Sequence, residues 1–160
     1  MHHRISFVLR DKWNATSALD YRAVRITAAS LLTGLLIGAV GGAFRVLLSK
    51  ADDLRYALVV WAHAWPYLGW LAPVALGTLG AVVARLVVAR FAPEAEGSGV
   101  QRVEATFTGE VKPASPSIIL PVKFFGGLLA IGSGLALGRE GPTVQMGASL
   151  SVLASRLLVI

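Results

Sequence analysis

Gly138-Arg139-Glu140-Gly141-Pro142 separates two apolar stretches, and its reading decides the fold. Proline at the start of an apolar segment suits the first turn of a helix, where its missing N–H is no loss and its φ is already helical. The flanking glycines let the backbone turn sharply and leave its N–H groups uncovered. A helix beginning at Arg139–Pro142 therefore aims unpaired amide donors and a partial positive charge beyond its tip. Such a tip is an anion site, and Glu140 is an anion already placed to occupy it.

The surroundings of this turn are strongly apolar. The chain has 160 residues, 55% of them hydrophobic and 15% charged, with a mean hydropathy of +0.66. Soluble domains run nearer a quarter charged. From Ile26 to Leu48 the only charge is Arg45, and from Trp65 to Leu86 it is Arg85. Ser115 to Gly138 carries only Lys123, and Gly141 to Ile160 only Arg156. Each run reaches the roughly 20 residues needed to cross a hydrocarbon core, which predicts an all-α, multi-pass integral membrane protein. The net charge of +6 sits beside the apolar spans without interleaved aromatics, so it sets topology and does not point to nucleic acid. There is no cysteine, and His2, His3 and His63 are not spaced with carboxylates as a metal set. No metal, cofactor or enzymatic activity is expected.

Residues 1–25 carry a basic excess, placing the N-terminus in the cytoplasm. The first span is expected over Ile26–Ser49, with Gly34 and Gly38 at a spacing that would admit a second helix closely. Lys50, Asp52, Asp53 and Arg55 read as a connection, followed by an interfacial belt of Trp61, Trp65, Tyr67 and Trp70. Leu71–Ala89 returns the chain inward. Phe91–Gly97 reads as a polar linker, and Val100–Phe107 as a half-helix too short to cross, with Ser98 as its N-cap. Ile118–Leu137 is the next span. Lys123 within it is costly in hydrocarbon, so it should face the interior with a partner, for which Glu104 is the candidate.

Three segments carry a family resemblance: GSGVQRVEA at 97–105, LPVKFFGG at 120–127 and GREGPTVQMG at 138–147. They resemble the CLC family of chloride channels and chloride/proton antiporters. The resemblance implies a CLC-like fold of broken and re-entrant helices, the first part of one of two inverted repeats. It implies transmembrane transport of chloride or a similar small anion by a voltage- or pH-gated channel or a chloride/proton antiporter. It makes Gly97, Ser98 and Gly99 an anion-coordinating loop and Arg139, Glu140 and Gly141 a second, outer anion-binding tip. Glu140 becomes the gating, proton-linked glutamate, because a helix tip favours its carboxylate while desolvation favours the acid. Glu104 and Lys123 become a supporting charged pair. Chloride and protons are then the transported partners, within a bilayer, in a homodimer of the bacterial plasma membrane.

Two departures stand beside this match. The family commonly carries Pro and an acid where this chain has Gln101 and Arg102, so the first tip lacks the preorganisation a proline gives. Residues 26–160 read as a partial transmembrane domain whose second half is absent, so the 160 residues are not expected to form a pore alone. The other reading is a truncated, transport-inactive membrane fragment that only associates with other helices.

Overall fold

A computed structural model describes residues 2–65, 67–112 and 114–157, with side chains described from residue 21 onward. Among the described residues five α-helices follow one another: α1 His2–Ala62, α2 Leu71–Phe91, α3 Val100–Phe107, α4 Pro116–Gly132 and α5 Glu140–Leu157. A short 3-10 turn, Pro93–Ala95, lies between α2 and α3. The all-α expectation holds. The side chains behind the cytoplasmic assignment of residues 1–25 lie mostly outside the described residues.

The first correction concerns α1. The expected connection at Lys50–Arg55 is helical, because no glycine or proline interrupts the chain between Gly42 and Pro66. Two of its charges pair along the helix instead of breaking it, the Arg55 guanidinium donating to Asp52 at 2.9 Å. The apolar portion Tyr21–Ala62 has 42 residues. At 1.5 Å per residue it is about 63 Å long, roughly twice the hydrocarbon thickness. Among the described residues, this helix and α2 are long and apolar enough to cross a membrane. Trp61, Trp65, Tyr67 and Trp70 are all exposed around the turn between them.

The core lies where α1, α4 and α5 meet. Phe44, Leu48 and Met146 are buried together, with Val40, Leu120, Phe124, Leu128 and Ile131 against them. The Phe44 and Phe124 rings are tilted at 5.3 Å between centroids, a favourable aromatic arrangement. A second buried cluster of Ala92, Ala95 and Val122 anchors the segment after α2, which is therefore seated and not the free polar linker its composition suggested. Leu31, Leu35, Leu79, Val82 and Leu86 on α1 and α2 remain exposed, as suits surfaces that meet lipid.

Close helix approach falls on glycines other than those expected. Nothing approaches the Cβ positions of Gly34, Gly38, Gly41 or Gly42 within 4 Å. On α2, by contrast, a Cβ at Gly80 would collide with the Ser133 side chain and stand 3.2 Å from the Leu129 carbonyl oxygen. A Cβ at Gly132 would lie 2.9 Å from that of Ala51. Gly80→Leu is thus expected to part α2 from α4, lowering the SDS fraction at which helicity is lost, whereas Gly34→Leu leaves it unchanged. Circular dichroism through an SDS titration checks the pair, and equal midpoints would remove Gly80 from the interface.

The span expected over Ile118–Leu137 is also shorter. It begins with Pro116 in the first turn and stops at Gly132, followed by Gly134 at φ 107°. Residues 135–139 then run non-helically to the start of α5. This break lets α5 begin at Glu140 with its N-terminus turned toward the segment that follows α2.

Candidate anion site at two helix N-termini

The site is built on α5. Arg139 caps the helix: its carbonyl oxygen accepts from the Thr143 N–H at 3.3 Å and the Thr143 hydroxyl at 2.7 Å. Glu140 and Gly141 are the first helical residues, so their amides have no intrahelical acceptor, and Pro142 brings no N–H. The predicted helix start is therefore correct.

The second N-terminus belongs to α3. Its cap is Gly99, at φ 78°, whose carbonyl oxygen accepts from the Val103 N–H at 3.0 Å. Ser98 stands one residue earlier than the N-cap expected for it, because a left-handed cap requires glycine. Its hydroxyl still accepts from the Val100 N–H, at 3.4 Å. The amides of Gln101 and Arg102 complete the unpaired tip.

These two tips touch. A Cβ added to Gly141 would lie 2.8 Å from the Ser98 carbonyl oxygen and 2.9 Å from both its Cα and Cβ. The backbone of the Ser98 loop is thus seated directly on the first turn of α5, a distance only glycine permits. Gly97, Ser98, Gly99, Arg139, Glu140 and Gly141, separated by about 40 residues in sequence, are assembled at one place.

Two buried polar side chains hold the loop. The Lys123 ammonium, 5% exposed, donates to the Ala95 carbonyl oxygen at 2.8 Å and to that of Gly97 at 2.6 Å. The expectation that Lys123 faces inward with a partner holds, but the partner is not Glu104. Glu104 is exposed on α3 and forms no ion pair with Lys123 among the described residues. Main-chain carbonyls satisfy the ammonium, so no buried carboxylate is required. The second side chain is Gln145 on α5, 3% exposed, whose Nε2 donates to the Glu94 carbonyl oxygen at 3.2 Å. Sequence reasoning gave it no role. A polar amide inside an apolar helix, five residues beyond Glu140, was the available signal.

Glu140 and Arg139 are exposed, and neither joins an ion pair among the described residues. The Glu140 side chain makes no hydrogen bond there either, so the expected seating of its carboxylate within the tip is not the arrangement seen. What the two helix starts present is largely backbone: the unpaired amides at the N-termini of α5 and α3, with the Ser98 hydroxyl beside them. Partial charges of this kind attract an anion without holding it irreversibly.

Residues 80–158, which include this whole site, match the family model of the voltage gated chloride channel. The chain is 37% identical over 141 residues to the H(+)/Cl(-) exchange transporter ClcA of Salmonella paratyphi B, and equally to that of Salmonella newport. The alignment covers 88% of this chain and 30% of each relative, so the chain spans under a third of their length. With its specific turns, half-helix and loop all inside the matched region, the chain belongs to the voltage-gated chloride channel (CLC) family, of which it matches a part.

Proposed function

We propose that this chain carries one side of the anion pathway of a chloride/proton exchange transporter, a transporter and not an enzyme. The carrying observation is the seating of the Ser98 backbone on Gly141, which brings two helix N-termini to one point. In this reading the Ser98 hydroxyl and the nearby amides coordinate chloride from one side, and the α5 tip coordinates it from the other. Glu140 stands at that tip as the proton-linked gate: its carboxylate competes with chloride for the same donors, and protonation withdraws it from the competition. One titrating group then links proton uptake to anion entry. The names of the two Salmonella relatives support exchange over a simple channel. Residues 26–160 form the membrane part, crossing more than once in a bacterial plasma membrane with the N-terminus cytoplasmic. The homodimer implied by the family resemblance is part of the same proposal.

The test uses chloride-loaded liposomes holding either the 160-residue chain or the Salmonella newport relative with its matching segment replaced by this chain. The graft is expected to move protons against chloride, and Glu140→Gln to bring proton movement to background while chloride flux persists. Coupling unchanged in Glu140→Gln would remove the gate from Glu140. Background flux from the 160-residue chain beside an active graft assigns it a contributing part. An inactive graft, shown to be inserted, supports the reading as a transport-inactive membrane polypeptide.

A further inference from the structure

We propose that Gln145 is a positioning residue that pins the Ser98 loop to α5 and so fixes the spacing between Ser98 and Glu140. The link to anion transport rests on the function proposed above, but the pinning itself does not.

Gly141 and Gln145 are four residues apart on α5 and therefore share one face, one turn above the other. The segment from Glu94 to Gly99 lies on that face at three points. Gly141 meets the Ser98 backbone. The Gln145 Nε2 donates to the Glu94 carbonyl oxygen at 3.2 Å. The other side of the same amide fills the space where a Gly99 side chain would be, with Gln145 Cβ 2.9 Å from that position. One side chain thus grips the loop both before and after Ser98. Glu140 directly precedes Gly141 on the same rigid helix, so the grip transmits the position of the helix tip to the loop.

The amide is a poor choice for stability alone. Gln145 is 3% exposed, and its Oε1 has no hydrogen-bond partner among the described residues. A buried, half-satisfied amide costs free energy that a methionine of similar length would not. Local conflict of this kind is expected where a residue serves position more than stability. The Ser149 hydroxyl donates to the Gln145 carbonyl oxygen at 3.0 Å, which closes the polar chain along this face without using the side-chain amide. Lys123 grips the loop from α4, so loss of Gln145 should loosen the loop locally and not unfold it.

Gln145→Met keeps the length and removes the donor; Gln145→Glu keeps the shape and turns a carboxylate oxygen toward the Glu94 carbonyl. Hydrogen exchange is measured on the 160-residue chain in lipid nanodiscs, with the SDS unfolding midpoint and calorimetric titration with sodium chloride. Both variants are expected to speed exchange of the amides at 95–100 by about tenfold, with α2 and α4 unchanged. The unfolding midpoint of Gln145→Met should stay level or rise, a split that a merely structural residue would not give. Where the unaltered chain binds chloride, affinity should fall about tenfold in both variants. Unchanged exchange at 95–100, or equal acceleration in every helix, overturns the pin. Loop loosening in a chain whose chloride affinity does not move supports the pin and overturns the anion-site reading.

Discussion

Lys123→Met is expected to release the segment between α2 and α3 and to lower stability by about 2–4 kcal/mol. The two bonds lost are charge-assisted, each worth roughly 1.5–3 kcal/mol, and the Ala95 carbonyl lies in a residue only 2% exposed, where water cannot replace the ammonium. Against this stands the relief of no longer burying a charge, which keeps the net below the sum. Methionine conserves much of the volume, so the loss is not a cavity effect. The SDS midpoint of the unaltered chain and of Lys123→Met gives the value directly. A midpoint shift near zero would mean that desolvation and bonding cancel at Lys123, leaving it no net part in holding the segment. Glu104→Gln should leave the same midpoint in place, because Glu104 is exposed and does not reach Lys123.

Gly141→Ala should have the largest effect on the site itself. The new methyl would stand 2.8–2.9 Å from the Ser98 backbone, closer than a carbon side chain tolerates, and backbone cannot swing aside as a flexible side chain can. The loop must move off α5 by a few tenths of an ångström or more. Catalytic and binding sites of matched geometry lose up to about a hundredfold for a displacement near 1 Å. A tenfold or greater loss of chloride flux in the grafted transporter is therefore expected. Gly138→Ala is the control, because nothing lies within 4 Å of its Cβ position. Equal flux in the two variants would show that contact between the tips does not matter for transport.

Much of this could be read from residues alone. The spacing of charges located α2, and Pro142 with its flanking glycines located the start of α5 correctly. Gly97-Ser98-Gly99 marked the second tip, though the cap fell on Gly99 because the residue there must take a positive φ. The failures have a common physical origin. Lys50, Asp52, Asp53 and Arg55 looked like a connection because charge was read as a loop signal, when charges spaced three apart stabilise a helix equally well. Lys123 was assigned a carboxylate because a sequence displays side chains, while the acceptors that satisfy it are main-chain carbonyls brought near only by the fold. Gln145 was overlooked for the same reason: its acceptor is the carbonyl of Glu94, about 50 residues earlier. Gly34 and Gly38 carried the right spacing but on the wrong helix, since spacing states what a face permits and not which neighbour arrives.

The small-residue contact between α2 and α4 also sets an order on biosynthesis. Gly80 leaves the ribosome about 50 residues before Ser133, its partner on the far side of the contact. At roughly 5–20 residues per second, α2 waits some 3–10 s for the surface that will cover it. During that interval its glycine and alanine face lacks its α4 partner, and in a bilayer such a face has no unmet polar group to drive it toward a wrong neighbour. A serine or asparagine on the α2 side would shorten the final contact no further and would give each nascent hairpin a reason to pair with another copy. The polar member of the pair, Ser133, caps the C-terminal end of α4, the later-made helix of the two.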